Sequence, residues 1–231
     1  MGMDSFKHEQ LRMVKDYERQ ILEKNFVCPY PDCPKCKNAV DQFKLHEIKS
    51  RIFLILGGNE VEKRSSLISR WKCCICRKTF NYYPEFVCPY KRYVIPSIMD
   101  RCRLYLEDDK QSYRRAVTHN HAEFLHDSHK GEQPALAHST LHRWVTTFSG
   151  LIETTRNALE SIKQKAPHTG IFRKIAALHI PGKKFRSPQR KKQLYMCCIL
   201  LWVQDEFVRL FSTTWKKASL FPWFATKNSW S

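Results

Sequence analysis

The sequence predicts an α+β fold: a small β unit organised on paired cysteines, then a mainly helical region, then a basic helical C-terminal part. Three observations lead there. Two Cys-x-x-Cys pairs, Cys33/Cys36 and Cys73/Cys76, flank a stretch of strand-like sequence. Beyond Pro96, apolar residues recur at helical spacing. Positive charge gathers in the C-terminal half.

Taken in order, residues 4–24 read as an amphipathic helix, with Leu11, Val14, Tyr17, Ile21 and Leu22 spaced among Lys, Glu and Arg. Residues 28–36 are too rich in Pro and Cys for a helix. From Phe43 to Leu56 the pattern favours strand and ends in a β-branched run before the turn Gly57-Gly58-Asn59. A second strand is expected over Ser66 to Lys72 and a third over Thr79 to Tyr83, before Pro84 and Pro89 break regular structure. Pro96 suits the first turn of a helix burying Ile95, Ile98, Met99, Cys102 and Leu106. Ser112 is placed to cap the next helix, which would bury Tyr113, Ala116, Val117, Phe124 and Leu125 and end near Gly131. Ser139 is placed to cap a third, and Ser187 with Pro188 to open a long helix reaching about Phe211. These readings divide the chain into an N-terminal helix (1–26), a β unit (27–92), a helical region (93–150) and a basic helical part (151–231).

The 231 residues carry a formal net charge of +18, which attracts polyanions. Residues 1–110 hold 21 basic and 15 acidic side chains, whereas residues 111–231 hold 19 and 7. Between Ser161 and Gln204 there are ten Lys or Arg and no acid at all. No apolar run reaches the ~18–20 residues needed to cross a bilayer. The first 25 residues lack the apolar core of a secretion signal. We therefore expect no membrane association and a cytoplasmic, nucleoid-associated location. Ten cysteines without a secretion signal point away from a disulfide framework and towards metal or buried thiols.

Zinc takes four thiolates in a tetrahedron at about 2.3 Å each. Two residues between cysteines let one tight turn present both sulfurs to one ion, and strands between the pairs can bring the two turns together. Cys33, Cys36, Cys73 and Cys76 are thus the expected ligands of one structural Zn2+, in the manner of a zinc ribbon. Cys28 and Cys74 lie close enough in sequence to substitute for a ligand. Cys102, Cys197 and Cys198 fall in helices and read as small core residues. A closed tetrathiolate keeps no open coordination position, so metal-assisted hydrolysis is not expected. The same tetrahedron would also suit iron in a rubredoxin-like redox protein, the alternative from a different functional class.

Over Ser139 to Phe148, Leu141, Trp144, Val145 and Phe148 form one apolar face. Thr140, His142, Arg143, Thr146 and Thr147 then face outward. Such a face suits a helix in the major groove of double-stranded DNA, with His142 or Arg143 near base edges and Ser139 or Thr140 on phosphate. His119, His121, His126, His129, His138 and His142 crowd this region. His138 and His142 lie one helical turn apart, a spacing that can hold metal, although solvated or phosphate-facing histidines suit the sequence better. Farther on, Lys183, Lys184, Arg186, Arg190, Lys191 and Lys192 surround Pro181, Gly182 and Pro188, as in a loop entering a helix. They would grip phosphates without reading sequence. The apolar helix behind them suits a core or a homodimer interface.

The run Trp71-Lys-Cys-Cys-Ile-Cys-Arg-Lys-Thr-Phe80, followed by helices and Ser139-Thr-Leu-His-Arg-Trp-Val145, resembles the zinc-ribbon plus helix-turn-helix proteins of bacterial insertion sequences. It is also similar to a family of small bacterial zinc-ribbon proteins in which a Pro-Tyr-Lys-Arg-Tyr segment, here Pro89 to Tyr93, joins ribbon to helices. The resemblance covers roughly residues 28–150. It implies that Cys33, Cys36, Cys73 and Cys76 bind the metal and that Ser139 to Trp144 belongs to a recognition helix.

After Gly150 the only acids are Glu153, Glu160, Asp205 and Glu206, too few for the carboxylate-bound metal pair of a DNA-cutting core. The expectation is therefore a zinc-dependent DNA-binding protein of a mobile element, not an enzyme. It would bind DNA without cleaving it and leave strand cleavage to a separate catalytic transposase chain. A transcriptional regulator with the same binding chemistry is the nearest alternative.

Overall fold

The computed structural model describes residues 3–23, 26–30, 32–39, 43–57, 60–88, 91–117 and 136–211. It divides into two compact units, one up to Ser97 and one from Ile98 onward. Helices and one small antiparallel sheet make an α+β chain. Among the described residues no helix is long and apolar enough to cross a membrane.

The first unit is built on a hairpin. Strand β1 (Lys44–Gly57) pairs antiparallel with β2 (Glu60–Lys72), and the short β3 (Thr79–Asn81) adds to the outer side of β2. The expected second strand began only at Ser66. The observed one starts six residues earlier because the charged segment from Glu60 to Arg64 pairs across to Phe53–Gly57. Cross-strand hydrogen bonding therefore extends beyond the reach of the apolar pattern. The third strand stops at Asn81, short of the expected Tyr83.

Helix α1 (Met3–Leu22) lies on this hairpin. Its buried positions Val14, Tyr17 and Ile21 fall at helical spacing and meet Phe53, Ile55, Phe86, Val87 and Val94 in one core. Buried aromatic rings such as these each remove some 150–250 Å² from water. Tyr17 and Phe53 both meet Phe86 edge-on, with centroids 5.7 Å and 5.6 Å away. Two polar groups are also enclosed and satisfied: Ser97 Oγ donates to Gln10 Oε1 and accepts the amide of Leu56 at 2.9 Å. A neighbouring cluster joins Tyr30, Phe43, Trp71 and Phe80 to Cys33 and Cys73, so the cysteine pairs stand on an aromatic base. The Trp71 indole N–H is satisfied by Ser69 Oγ at 2.9 Å.

The second unit is helical. It takes in most of α2 (Ile95–Glu107), then α3 (Tyr113–Val117), α4 (His138–Ser149), α5 (Ile152–Lys165), α6 (Ile171–Ala176) and α7 (Pro188–Phe211). The 24-residue α7 is its spine, and α4, α5 and α6 all pack on it. It buries Leu194, Cys197, Cys198, Ile199, Leu200, Leu201, Val203 and Phe207, the apolar run that the sequence marks as a core helix. Cys102 of α2 is buried as well, with its thiol against that of Cys197. All five residues expected on the inner face of α2 are buried. Of the helix expected after Ser112, the described part buries Ala116 and Val117 and leaves Tyr113 half-buried. Phe124, Leu125, Gly131 and the histidines at 119, 121, 126 and 129 lie outside the described residues.

Three serines were placed as caps by their sequence position. Ser112 Oγ accepts the amide of Arg115 at 3.1 Å, and Ser187 Oγ accepts that of Arg190 at 3.2 Å. Ser139 does not cap. Helix α4 opens at His138, after an extended Ala137 whose carbonyl accepts the amide of Thr140 at 2.9 Å, with no side-chain cap. Ser139 therefore sits within the first turn. Replacing Ser187 with Ala should lower unfolding stability by about 1 kcal/mol in a denaturant titration, the usual cost of a lost N-cap. Ser139→Ala should stay within about 0.5 kcal/mol of the parent, since a surface position without a cap has little to lose. A larger loss at Ser139 than at Ser187 would reverse the capping assignment.

Candidate metal centre and basic cleft

The two cysteine pairs sit in two turns of matching geometry. In the first, the amide of Lys37 donates to Cys33 O at 2.8 Å and the amide of Cys33 to Asn38 O at 3.0 Å. Asp32 and Ala39 then bridge across the base of the turn. In the second, the amide of Cys73 donates to Lys78 O at 3.1 Å, and Lys72 pairs with Thr79 at the start of the β2–β3 turn. The residue after each second cysteine adopts the left-handed conformation: Lys37 at φ 62° and Arg77 at φ 58°. That region favours glycine, and a side chain there costs about 1 kcal/mol. At these positions the chain turns back after the second cysteine, and the carbonyls of Asn38 and Lys78 meet the amides of Cys33 and Cys73.

The β1–β2 hairpin carries the second turn back to the first. As a result the sulfurs of Cys33, Cys36, Cys73 and Cys76 all lie within 4.8 Å of one another. The Sγ atoms of Cys33 and Cys76 are 3.8 Å apart. Four thiolates at about 2.3 Å from one ion, in a tetrahedron, have sulfur–sulfur edges of about 3.8 Å. The donor set and its spacing therefore fit a single ion that prefers thiolate. The Lys35 amide lies 3.4 Å from Cys33 Sγ, and the amides of Ile75 and Cys76 point likewise at Cys73.

The same groups control ionisation. Burial pushes the Cys33 thiol up to about 11, against donation from the amides of Cys36 and Lys35. For Cys73 burial acts in the same sense. It is outweighed by the amides of Cys76 and Ile75 and the thiols of Cys33 and Cys76, which bring the group down to about 7. Cys73 thus ionises more readily than Cys33, and the neighbouring S–H groups hold its charge.

The candidates for ligand exchange fall away. Cys74 is exposed at the tip of its turn, and Cys28 stands beside the aromatic cluster outside the four-sulfur group. Burial pushes the Cys28 thiol up to about 12 and the Cys88 and Cys198 thiols to about 11 and about 12. Cys197 is raised too, first by its contact with the Cys102 thiol and then by burial. These groups stay neutral at physiological pH. Cys102, Cys197 and Cys198 are core residues, as expected. Among the described residues no second group of metal-ligating side chains forms, and His138 and His142 are exposed.

In the second unit, His142 of α4 and the basic segment before α7 line one cleft. The inner side of α4 buries Leu141, Trp144, Val145 and Phe148, which leaves Ser139, His142, Arg143, Thr146 and Thr147 exposed and Thr140 half-buried. His142 enters a cleft of about 810 Å³ shared with Lys110, Lys183, Lys184, Arg186 and Arg190. Two of these cations are spent on its walls. Lys184 Nζ donates to the carbonyls of Tyr105 and Asp108 and lies 4.8 Å from the Tyr105 ring centre. Arg190 donates to Tyr113 Oη, to Thr146 Oγ1 at 3.1 Å and to Gln193 Oε1 at 2.7 Å. Burial lowers the pKa of both. Lys183, Arg186, Lys191 and Lys192 are exposed, and Lys191 Nζ lies 5.4 Å from the Phe185 ring centre. Sequence reasoning did not anticipate Lys110, which joins from the loop after α2, or the Tyr105–Tyr113 stack at 4.1 Å that supports the cleft. Neither leaves a local signal, since both depend on how α2 and α3 meet.

Residues 33–144 match the model of a family described as a domain of unknown function (DUF6431). The match runs from the first clustered cysteine into the middle of α4. No curated protein and no solved structure gives a match.

Replacing Cys73 with Ser should abolish stoichiometric binding of a thiolate-seeking ion, whereas Cys74→Ser should leave it intact, both read by metal analysis after dialysis. Equal losses in the two would move Cys74 into the ligand set. Acidification should release the ion, because protons compete for the sulfurs. The sign follows from the thiols: protons compete for Cys33 already below about pH 11 and for Cys73 as well below about 7, so affinity should fall as pH falls and more steeply below 7.

Proposed function

We propose that this chain is a zinc-dependent DNA-binding protein, with a zinc ribbon in its first unit and a recognition helix, α4, in its second. One observation carries the reading: His142 on the exposed face of α4 shares a cleft with Lys183, Lys184, Arg186 and Arg190, and Arg190 reaches Thr146 of the same face at 3.1 Å. A base-reading helix needs phosphate contacts beside it to fix its register on the duplex. Here they come from the next element packed on it, α7, through the Arg190–Thr146 contact. The net charge of +18 supplies the long-range attraction.

On this reading Cys33, Cys36, Cys73 and Cys76 hold one structural Zn2+ and His142 and Arg143 face base edges. Lys183, Arg186, Lys191 and Lys192 grip phosphates, with Ser139 and Thr140 at the start of the helix near the backbone. Lys184 and Arg190 shape the cleft instead of reaching out of it. The ion closes its coordination with protein sulfurs and does no chemistry, and the chain binds DNA without cutting it. The family match spans all four cysteines and the first half of α4, residues 33–144. The resemblance of Trp71–Phe80 and Ser139–Val145 to proteins of bacterial insertion sequences supports a role in transposition, alongside a separate catalytic chain.

Arg143→Ala should relax base preference with little change on scrambled duplex. Lys191→Ala should weaken binding to all duplexes alike and flatten the slope of log affinity against log salt by about one charge. Selection from a random duplex pool followed by salt titration reads both. Identical behaviour of the two variants on matched and scrambled DNA would remove α4 from the recognition role.

A further inference from the structure

The cysteine end of the first unit gives up stability to carry positive charge in two independent ways. The first lies in the backbone. Lys37 and Arg77 occupy equivalent left-handed positions in the two turns, where glycine is the favoured residue. Both turns place a long cation there instead. Strain held at matching positions in this way points to a use for the side chain.

The second lies in the sheet. Lys44 and Lys72 are direct cross-strand partners at the end of the hairpin that leads into the second turn. Like charges placed opposite each other on one face destabilise a strand pair. Lys35 and Lys78 complete the set, and all six cations are exposed. Across Asp32–Ala39 and Lys72–Thr79 the one acid is Asp32, which is half-buried at the base of its turn.

We infer that this end of the first unit is a second phosphate-binding surface, on which the two turns hold the DNA backbone through Lys37 and Arg77. The inference rests on the DNA-binding reading and adds a contact that α4 and the basic cleft do not include. The bound ion fixes the spacing between the two turns and with it the spacing of the two cations. Contact is electrostatic and independent of sequence, since neither turn presents a helix or a strand to base edges. Lys35, Lys44, Lys72 and Lys78 add to the local field around the pair.

The test uses the full chain with its metal. In Lys37→Gly/Arg77→Gly both charges go and both turns receive the residue their backbone favours, so folding and metal content should hold. We expect the melting temperature to stay level or rise and one metal per chain to remain. The dissociation constant for duplex DNA should rise several-fold, and the salt slope should become shallower by about 1.8, two counterions' worth. Base preference, read on matched and scrambled duplexes, should not move. The charge-conserving Lys37→Arg/Arg77→Lys should keep the parent slope. If the parent binds DNA and the double glycine variant binds with the same constant and slope, the inference is overturned while the α4 reading stands. If the parent itself shows no affinity for duplex DNA, the DNA-binding reading fails and takes this surface with it.

Discussion

Four sulfurs brought within 4.8 Å of one another are the constraint on which the first unit depends. Two short turns separated by some forty residues cannot hold such an arrangement unaided. The long β1–β2 hairpin returns the chain, and the register that pairs Lys44 with Lys72 sets the second turn beside the first. An aromatic cluster of Tyr30, Phe43, Trp71 and Phe80 supports both buried sulfurs from below. An ion at this centre would supply most of what the small end of the unit lacks in core, since zinc binding in small sites contributes roughly 10–16 kcal/mol to folding. The other end is held by ordinary packing of α1 on the hairpin through Tyr17, Phe53 and Phe86.

The second unit solves a different problem. It must stay folded while keeping a strongly one-signed surface. It does so by placing its charge at the end of a buried spine. Helix α7 is apolar along its middle and basic at its start, so the residues that secure the core also position Lys191 and Lys192. Lys184 and Arg190 spend their hydrogen bonds on carbonyls and hydroxyls of the walls, which binds the basic segment to α2, α3 and α4. Of the six cations clustered in the sequence, Lys184 and Arg190 thus become anchors, and Lys183, Arg186, Lys191 and Lys192 stay exposed.

Much of this was legible in the sequence. The clustered cysteines followed from spacing alone, because two intervening residues fit a tight turn and no other Cys-x-x-Cys pair occurs in the chain. Helical periodicity gave the buried faces of α2 and α4 and most of that of α1, where Leu22 is exposed, whereas α7 buries its apolar run from Cys197 to Leu201 without a break. The failures share a physical cause. Ser139 looked like a cap because a serine preceded the apolar stripe, yet the backbone of Ala137 had already started the helix. The charged first third of β2 carried no apolar alternation, so its strand character came only from pairing with β1. The left-handed geometry of Lys37 and Arg77 was hidden because glycine, the usual marker, is absent from both sites. Lys110 and the stacked Tyr105 and Tyr113 needed tertiary contacts to acquire a role.

X-ray absorption at the metal edge of the purified protein tests the convergence of the four sulfurs most directly. The account predicts a zinc edge with four sulfur scatterers at about 2.3 Å and no nitrogen or oxygen in the inner shell. A shell of mixed sulfur with nitrogen or oxygen, or protein isolated without any stoichiometric ion, would contradict it.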